Sequence, residues 1–266
     1  MYVAKVVRMK SAAVLGQLCW PQLADRTVTL VVPLGAVEQH GPHLPLDTDT
    51  RIAAAVARAA VDAAQPGPDD SPTADSPTDD APAVGPESVL TVLAPELGYG
   101  ASGEHEGFPG TVSLGLEALE LVLVEYGRSA CRWASRVVFV NGHGGNARAL
   151  VSAVRLLRQE GRDVAWFPCA APDGDAHAGY TETSVLLYLS PSDVRVEHAV
   201  AGNGAPIETL LPVLRSGGVA AASMNGVLGD PADADGEVGA RLVARMVDDL
   251  VAALQTWTVD DMGRVR

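Results

Sequence analysis

LVVPLGAVEQHGPHLPLDTDTR, residues 30–51, decides how this chain is read. It opens inside an apolar run, 27–34, rich in β-branched residues and ended by Gly35, which predicts a buried strand. Within the next twelve-residue window stand Glu38, His40, His43, Asp47 and Asp49. A strand that feeds carboxylates and imidazoles into a Gly/Pro-rich loop is the layout of a ligand site at the carboxyl edge of an α/β sheet. Glu38 and His40 are two apart, so extended backbone points both to one side. Gly41, Pro42 and Pro45 then supply the turn that can fold Asp49 back towards them. Divalent metals take this mixture of carboxylate and imidazole. The plainer alternative is that Asp47 or Asp49 caps the helix beginning near Thr50, and that each lone His is structural.

Outward from this stretch, strand and helix patterns alternate. Residues 50–64 are Ala-rich and amphipathic and predict a helix. A short strand is expected at 89–93, ended by Pro95. The Gly-rich loop 98–115 carries Glu104, His105 and Glu106 at its centre, either as the wall of a site or as a solvated turn. Helical spacing covers 116–132, and 137–140 is a further buried strand that runs into NGHGGNARAL with Asn141, His143 and Asn146. These glycines match neither GxGxxG nor GxxxxGK[ST], which discounts a nucleotide site. A helix from near Asn146 to Glu160 and a strand at 164–168 follow. Next comes DGDAHAGYTETS, with Asp173, Asp175, His177 and Glu182. His177 and Glu182 are five apart, so one helix face cannot carry both; His177 is expected before a helix and Glu182 in its first turns, where an acid also suits the dipole. Residues 192–230 read as irregular and short β structure, and 235–257 as a long amphipathic helix. At the other end, a short helix is expected at 11–20, stopped by Pro21. Repeated strand–helix units imply an α/β fold with a mostly parallel central sheet covered by helices on both faces.

At 266 residues and 47% hydrophobic, the chain can bury one large core, so 1–266 is expected to be a single domain. Its net charge of −14 and lack of basic clusters argue against nucleic acid as a partner. Residues 65–88 hold six prolines and six acids with no Lys or Arg, a composition expected for a disordered surface insertion. No run approaches the roughly 20 apolar residues of a membrane span. Residues 11–20 follow Lys5, Arg8 and Lys10, but Gly16 and Gln17 break the apolar run that a signal peptide needs. Cys19, Cys131 and Cys169 form neither a disulfide framework nor a CxxC motif, and fit a reducing compartment. The cytoplasm is the expected location.

Parallel strands present their carboxyl ends to one edge, so Glu38, His40, Asp49, His105, His143, His177 and Glu182 can converge there. Imidazoles and carboxylates in this number suffice for two metal ions, with one carboxylate bridging. Such a centre activates water and polarises a carbonyl, and a further acid or His can protonate a leaving amine. With no GxSxG elbow, metal-assisted hydrolysis of a C–N bond is the favoured chemistry. A non-catalytic metal-binding scaffold is the rival of another class, although structural zinc sites favour closed Cys/His sets.

PLGAVEQHGPHLPLDTD, SGEHEGFPGT, VVFVNGHGGN and DAHAGYTETS, in this order, resemble the creatininase family of metal-dependent amidohydrolases across nearly the whole chain outside the acidic insertion. The resemblance implies a three-layer creatininase-like fold, two divalent ions (iron, zinc or manganese) and a homo-oligomer. It implies that Glu38 and His40 bind different ions, that Asp49 bridges them and that His143 completes one shell. Creatinine-cleaving members carry a Glu two residues after that His, where this chain has Gly145. Glu182 is the candidate replacement, His177 the candidate proton shuttle, and His105 a further catalytic candidate. GYGASGEHEGF, LVEYGRSA and EGRDVAWFPCA are most similar to a peptidase branch of the family. That likeness implies a modified precursor peptide as substrate, cut ahead of a C-terminal Val-Tyr pair to release the modified dipeptide. A small cyclic amide or formamide is the alternative substrate.

Overall fold

The structure is a computed structural model that describes residues 13–64, 89–171 and 174–266. The acidic insertion at 65–88 and Asp173 lie outside these residues. Five parallel strands form the sheet: β1 (Ala13–Val14), β2 (Val28–Leu34), β3 (Leu90–Leu93), β4 (Arg136–Asn141) and β5 (Val164–Pro168), in the order β1-β3-β2-β4-β5. β2 lies at the centre and is buried along its whole length, with Val31 level with Leu93 on one side and Val138 on the other.

Burial on both faces is why the strands read as continuous apolar runs rather than alternating ones. The two-residue period still sorts them. Val28, Leu30, Val32, Phe139 and Trp166 pack against α2 (Leu116–Ala130) and α3 (Ala147–Gln159). Val31, Val138, Val140 and Phe167 face α1 (Thr48–Ala64), α4 (Tyr180–Leu189) and α6 (Gly236–Thr256). Helix, sheet and helix make the three layers of an α/β fold. A separate small cluster around Leu210, Val219 and Leu228 holds α5 (Ile207–Ala222) to the body. Among the described residues no helix is long and apolar enough to cross a membrane.

Two expectations fail. Residues 13–22 form no α-helix: Ala13 and Val14 pair with Val92 and Leu93, and two 3-10 turns follow, with Pro21 inside the second. Pairing with an exposed sheet edge outweighs a weak helical pattern. Residues 192–230 are not irregular throughout, because α5 occupies much of them and contains Pro212. The chain breaks helical geometry at Gly218, whose φ of 67° few other residues tolerate.

Glycines set how closely α1 approaches the sheet. A Cβ at Gly35 would lie 2.4 Å from the Thr50 Cα, and one at Gly142 would lie 2.2 Å from the Asp49 carbonyl oxygen. Without those atoms, the first turn of α1 wedges between the ends of β2 and β4 and carries Asp49 to the sheet edge. Gly142→Ala should therefore cost on the order of 3 kcal/mol and lower the Tm by roughly 10 °C. Gly144→Ala, where a Cβ meets nothing within 4 Å, should leave the Tm within a degree or two of wild type. Equal melting of the two variants by calorimetry would contradict the wedge.

Candidate metal centre

Each strand that ends near the middle of the sheet delivers a group to one spot. β2 leads to Glu38 and His40, β3 to the loop with His105, β4 to His143 and β5 to His177, while α1 and α4 bring Asp49 and Glu182. Glu38, His40, Asp49, His105, His143 and His177 are buried. The seven sequence-predicted residues come together here. Asp49 Oδ1 lies 3.1 Å from His40 Nε2 and its Oδ2 lies 3.4 Å from His143 Nδ1, so this carboxylate stands between the two imidazoles. Glu38 reaches His143 Nε2 at 3.1 Å with one oxygen and His105 Nε2 at 3.2 Å with the other. Glu182 Oε2 lies 3.9 Å from His40 Nε2 and 4.0 Å from His177 Nδ1.

The donor set fits divalent ions. Both Glu38 oxygens and Asp49 Oδ2 are buried without a hydrogen-bond partner, an arrangement that costs free energy unless a cation takes them up. Glu38, Asp49 and His143 can hold one ion, and His40, His177 and Glu182 another. These two sets share no residue, so both can be filled at once. Glu38, His105 and His177 form an overlapping third set.

Neighbouring hydrogen bonds aim the rings. His40 Nδ1 donates to the Glu38 carbonyl oxygen at 3.1 Å, which leaves Nε2 as its ligand atom. His177 Nε2 donates to the Gln39 carbonyl oxygen at 2.9 Å, which turns Nδ1 towards the carboxylates. The backbone between His177 and α4 is strained, with Ala178 at φ 53°. Glu182 Oε2 accepts the Ala178 N–H at 2.6 Å, so the acid caps α4 while it faces the site.

Sequence reasoning missed Gln39, and placed Glu104 only in a loop that could wall a site. Gln39 Nε2 donates to His105 Nδ1 at 2.9 Å and to the Gly226 carbonyl oxygen at 3.0 Å. Period-two alternation gave no reason to single it out between Glu38 and His40. Glu104 Oε1 lies 3.5 Å from His143 Nε2. A Cβ at Gly145 would come within 2.4 Å of that oxygen, so a side chain at 145 and this carboxylate exclude one another. The presence of two acids beside His105 was the available signal. Of the other acids, Asp47 pairs with Arg51 at 2.8 Å, and Asp175 accepts the Thr181 N–H at 2.9 Å as a cap of α4. His43 bonds Thr183 Oγ1 at 2.9 Å, and burial pushes its imidazole down to about 4.

Burial pushes the Glu38 carboxyl up to about 8 against the pull of His143. It opposes the charged forms of His40 and His143 too, yet Asp49 beside the first and Glu38 beside the second outweigh it and raise both to about 10. Burial also opposes ionisation of Asp49, but His40 holds it below the usual carboxylate range. Burial and the nearby His40 push His177 down to about 3. His105 is lowered by burial and His177.

The residues sit at the floor of a cavity of about 930 Å³, walled on the far side by α5. Residues 16–254 match the creatininase model, described as creatinine amidohydrolase. The chain belongs to the creatininase family. Within it, the mycofactocin precursor peptide peptidase of Mycolicibacterium smegmatis is 55% identical over 91% of this chain and 90% of that one. A creatininase variant of Zn–Zn type matches with a TM-score of 0.72 and 23% identity, over 93% of this chain and 99% of the other. A manganese creatininase matches at 0.71 and 23%, over 92% and 98%. The membership accounts for the order of the four motifs, and the shared fold for the single sheet edge to which they run.

Ligands must be ionised carboxylates and neutral imidazoles. Glu38, His40 and His143 hold protons at about pH 7 because their pKa values are raised to about 8 and 10. Zinc must displace those protons, so its affinity should rise with pH between about 6 and 8. Titration calorimetry in buffers of different ionisation enthalpy should show at least one proton released per chain. Zinc binding without proton release would contradict these charge states.

Proposed function

We propose that this chain hydrolyses the mycofactocin precursor peptide, freeing a modified C-terminal Val-Tyr dipeptide, with two divalent ions (iron, zinc or manganese) as cofactors. The observation that carries this reading is the 55% identity to a peptidase of that name over 91% of the chain. A cavity of about 930 Å³ opening onto the metal-ligand cluster supports it, since it has room for a peptide end rather than a small ring alone. As a creatininase-family member the protein is a metal-dependent hydrolase of amide C–N bonds.

Bound divalent ions supply Lewis acidity and make water nucleophilic near neutral pH. In this reading Glu38, Asp49 and His143 would hold one ion, and His40 and Glu182 a second, with Asp49 between the two imidazoles so that it would serve both. His177 is the proton carrier: its Nε2 donates to the Gln39 carbonyl oxygen, and its unprotonated Nδ1 faces the reaction centre, where it takes up the proton that the attacking water gives up and passes it to the departing amine. His105, 3.2 Å from Glu38 and held by Gln39, keeps that carboxylate in position. Free Cys19, Cys131 and Cys169 support a cytoplasmic setting, and exposed Trp20, Leu121 and Val200 support assembly into a homo-oligomer.

Mass spectrometry of zinc-loaded protein incubated with modified precursor, unmodified precursor and creatinine tests the substrate. Release of the dipeptide from the modified precursor alone is expected. Turnover of creatinine with the peptides intact would overturn the assignment. Asp49→Ala should lose both ions by elemental analysis, because the same carboxylate serves both shells. Two ions retained in that variant would remove Asp49 from the bridging position.

A further inference from the structure

We propose that Arg148 and Arg215 form a carboxylate-binding subsite of the cavity, so that the substrate is a peptide bearing a negatively charged group beside an apolar side chain. This deepens the peptidase reading and rests on it. Both arginines line the cavity above the metal-ligand cluster: Arg148 from the first turn of α3, Arg215 from α5. Both are exposed to solvent, and neither side chain has a hydrogen bond or ion pair among the described residues. Arg51, Arg128, Arg136, Arg158, Arg162, Arg245 and Arg266 pair with a carboxylate; of the described arginines that do not, only Arg148 and Arg215 line the cavity.

The wall beside them is apolar and regular. Ile207, Leu211 and Leu214 recur at helical spacing on the stretch of α5 that lines the cavity, and Arg215 ends the stripe. A guanidinium fork matches a carboxylate bidentately. The acidic surface of this protein would otherwise repel an anionic peptide. The carboxylate can come from an acidic side chain or from the peptide's C-terminus, and the two sources are separable by experiment.

The test uses three fluorescein-labelled peptides ending in Val-Tyr, with the amide ahead of the Val reduced to CH2–NH so that binding is read without turnover. One has an Asp upstream and a free C-terminus, one has Asn in place of the Asp, and one has a C-terminal carboxamide. Anisotropy with zinc-loaded protein should show about tenfold weaker binding when the recognised carboxylate is removed. Which peptide weakens identifies the source. Arg148→Gln and Arg215→Gln should each abolish the difference between peptides, while Arg241→Gln, outside the cavity, should keep it. Equal binding of all three peptides by wild type, or a preference that survives both cavity variants, would overturn the proposal. Failure of the modified precursor to be cut would count against the peptidase reading, and the binding comparison would still decide the subsite.

Discussion

Burying several carboxylates side by side is the constraint to which the rest of this structure answers. Glu38 and Asp49 have lost nearly all contact with water, and Glu182 reaches the same imidazoles. Moving isolated carboxylates into such a place costs several kcal/mol each unless positive charge meets them. Four imidazoles surround the acids, yet His105 and His177 are driven towards neutrality by burial and by their charged neighbours. Without metal, the cluster is balanced only by keeping protons on Glu38, His40 and His143, whereas two divalent ions would balance four ionised carboxylates once Glu104 is included. The fold is arranged to hold this unstable concentration of charge in place. Gly35 and Gly142 admit the first turn of α1, whose positive dipole end favours ionised Asp49.

The hydrogen bonds around the cluster follow from the same need. A group that can rotate away gains little from proximity, so two of the rings are tied through the far nitrogen. His40 is held by the Glu38 carbonyl oxygen and His177 by the Gln39 carbonyl oxygen. Asn146 joins two of the loops, accepting the Ala101 N–H at 2.8 Å and donating to the Gly35 carbonyl oxygen at 3.0 Å. Gly226, at φ 79°, leaves room for the Gln39 amide, because a Cβ there would fall 1.9 Å from Gln39 Oε1. The strand ends supply the reacting groups, and these polar ties fix their relative positions.

Most of the site was legible in the sequence because the chain orders it locally. Glu38, His40 and Asp49 lie in one loop after one strand, and an all-parallel sheet sends His105, His143 and His177 to the same edge. Gln39 was not legible, and Glu104 only as part of a possible site wall, since their roles depend on contacts 66 and 39 positions away along the chain, with His105 and His143. α5 was hidden for a different reason. Pro212 and the Gly217–Gly218 pair interrupt a helical pattern that is stabilised by docking on Phe108 and Leu228 rather than by propensity. At 11–20 the error ran the other way, where a helical pattern yielded to pairing of Ala13 and Val14 with β3.

Those misread regions matter because α5 is the cavity wall. Its kink at Gly218 brings the backbone against Glu104, where a Cβ would lie 2.6 Å from the Glu104 carbonyl oxygen. Glu104 in turn occupies the space that a side chain at Gly145 would need. Loop, kink and glycine meet here: a side chain at 145 would crowd the Glu104 carboxylate and the Ala101 carbonyl oxygen of the same loop, whose backbone abuts α5. Exchanging the glycine for an acid would therefore alter the charge beside His143 and the shape of the wall in one step. A Cβ at Gly145 would fall 2.3 Å from His143 Nε2, so at this glycine the ligand cluster and the cavity wall cannot change independently.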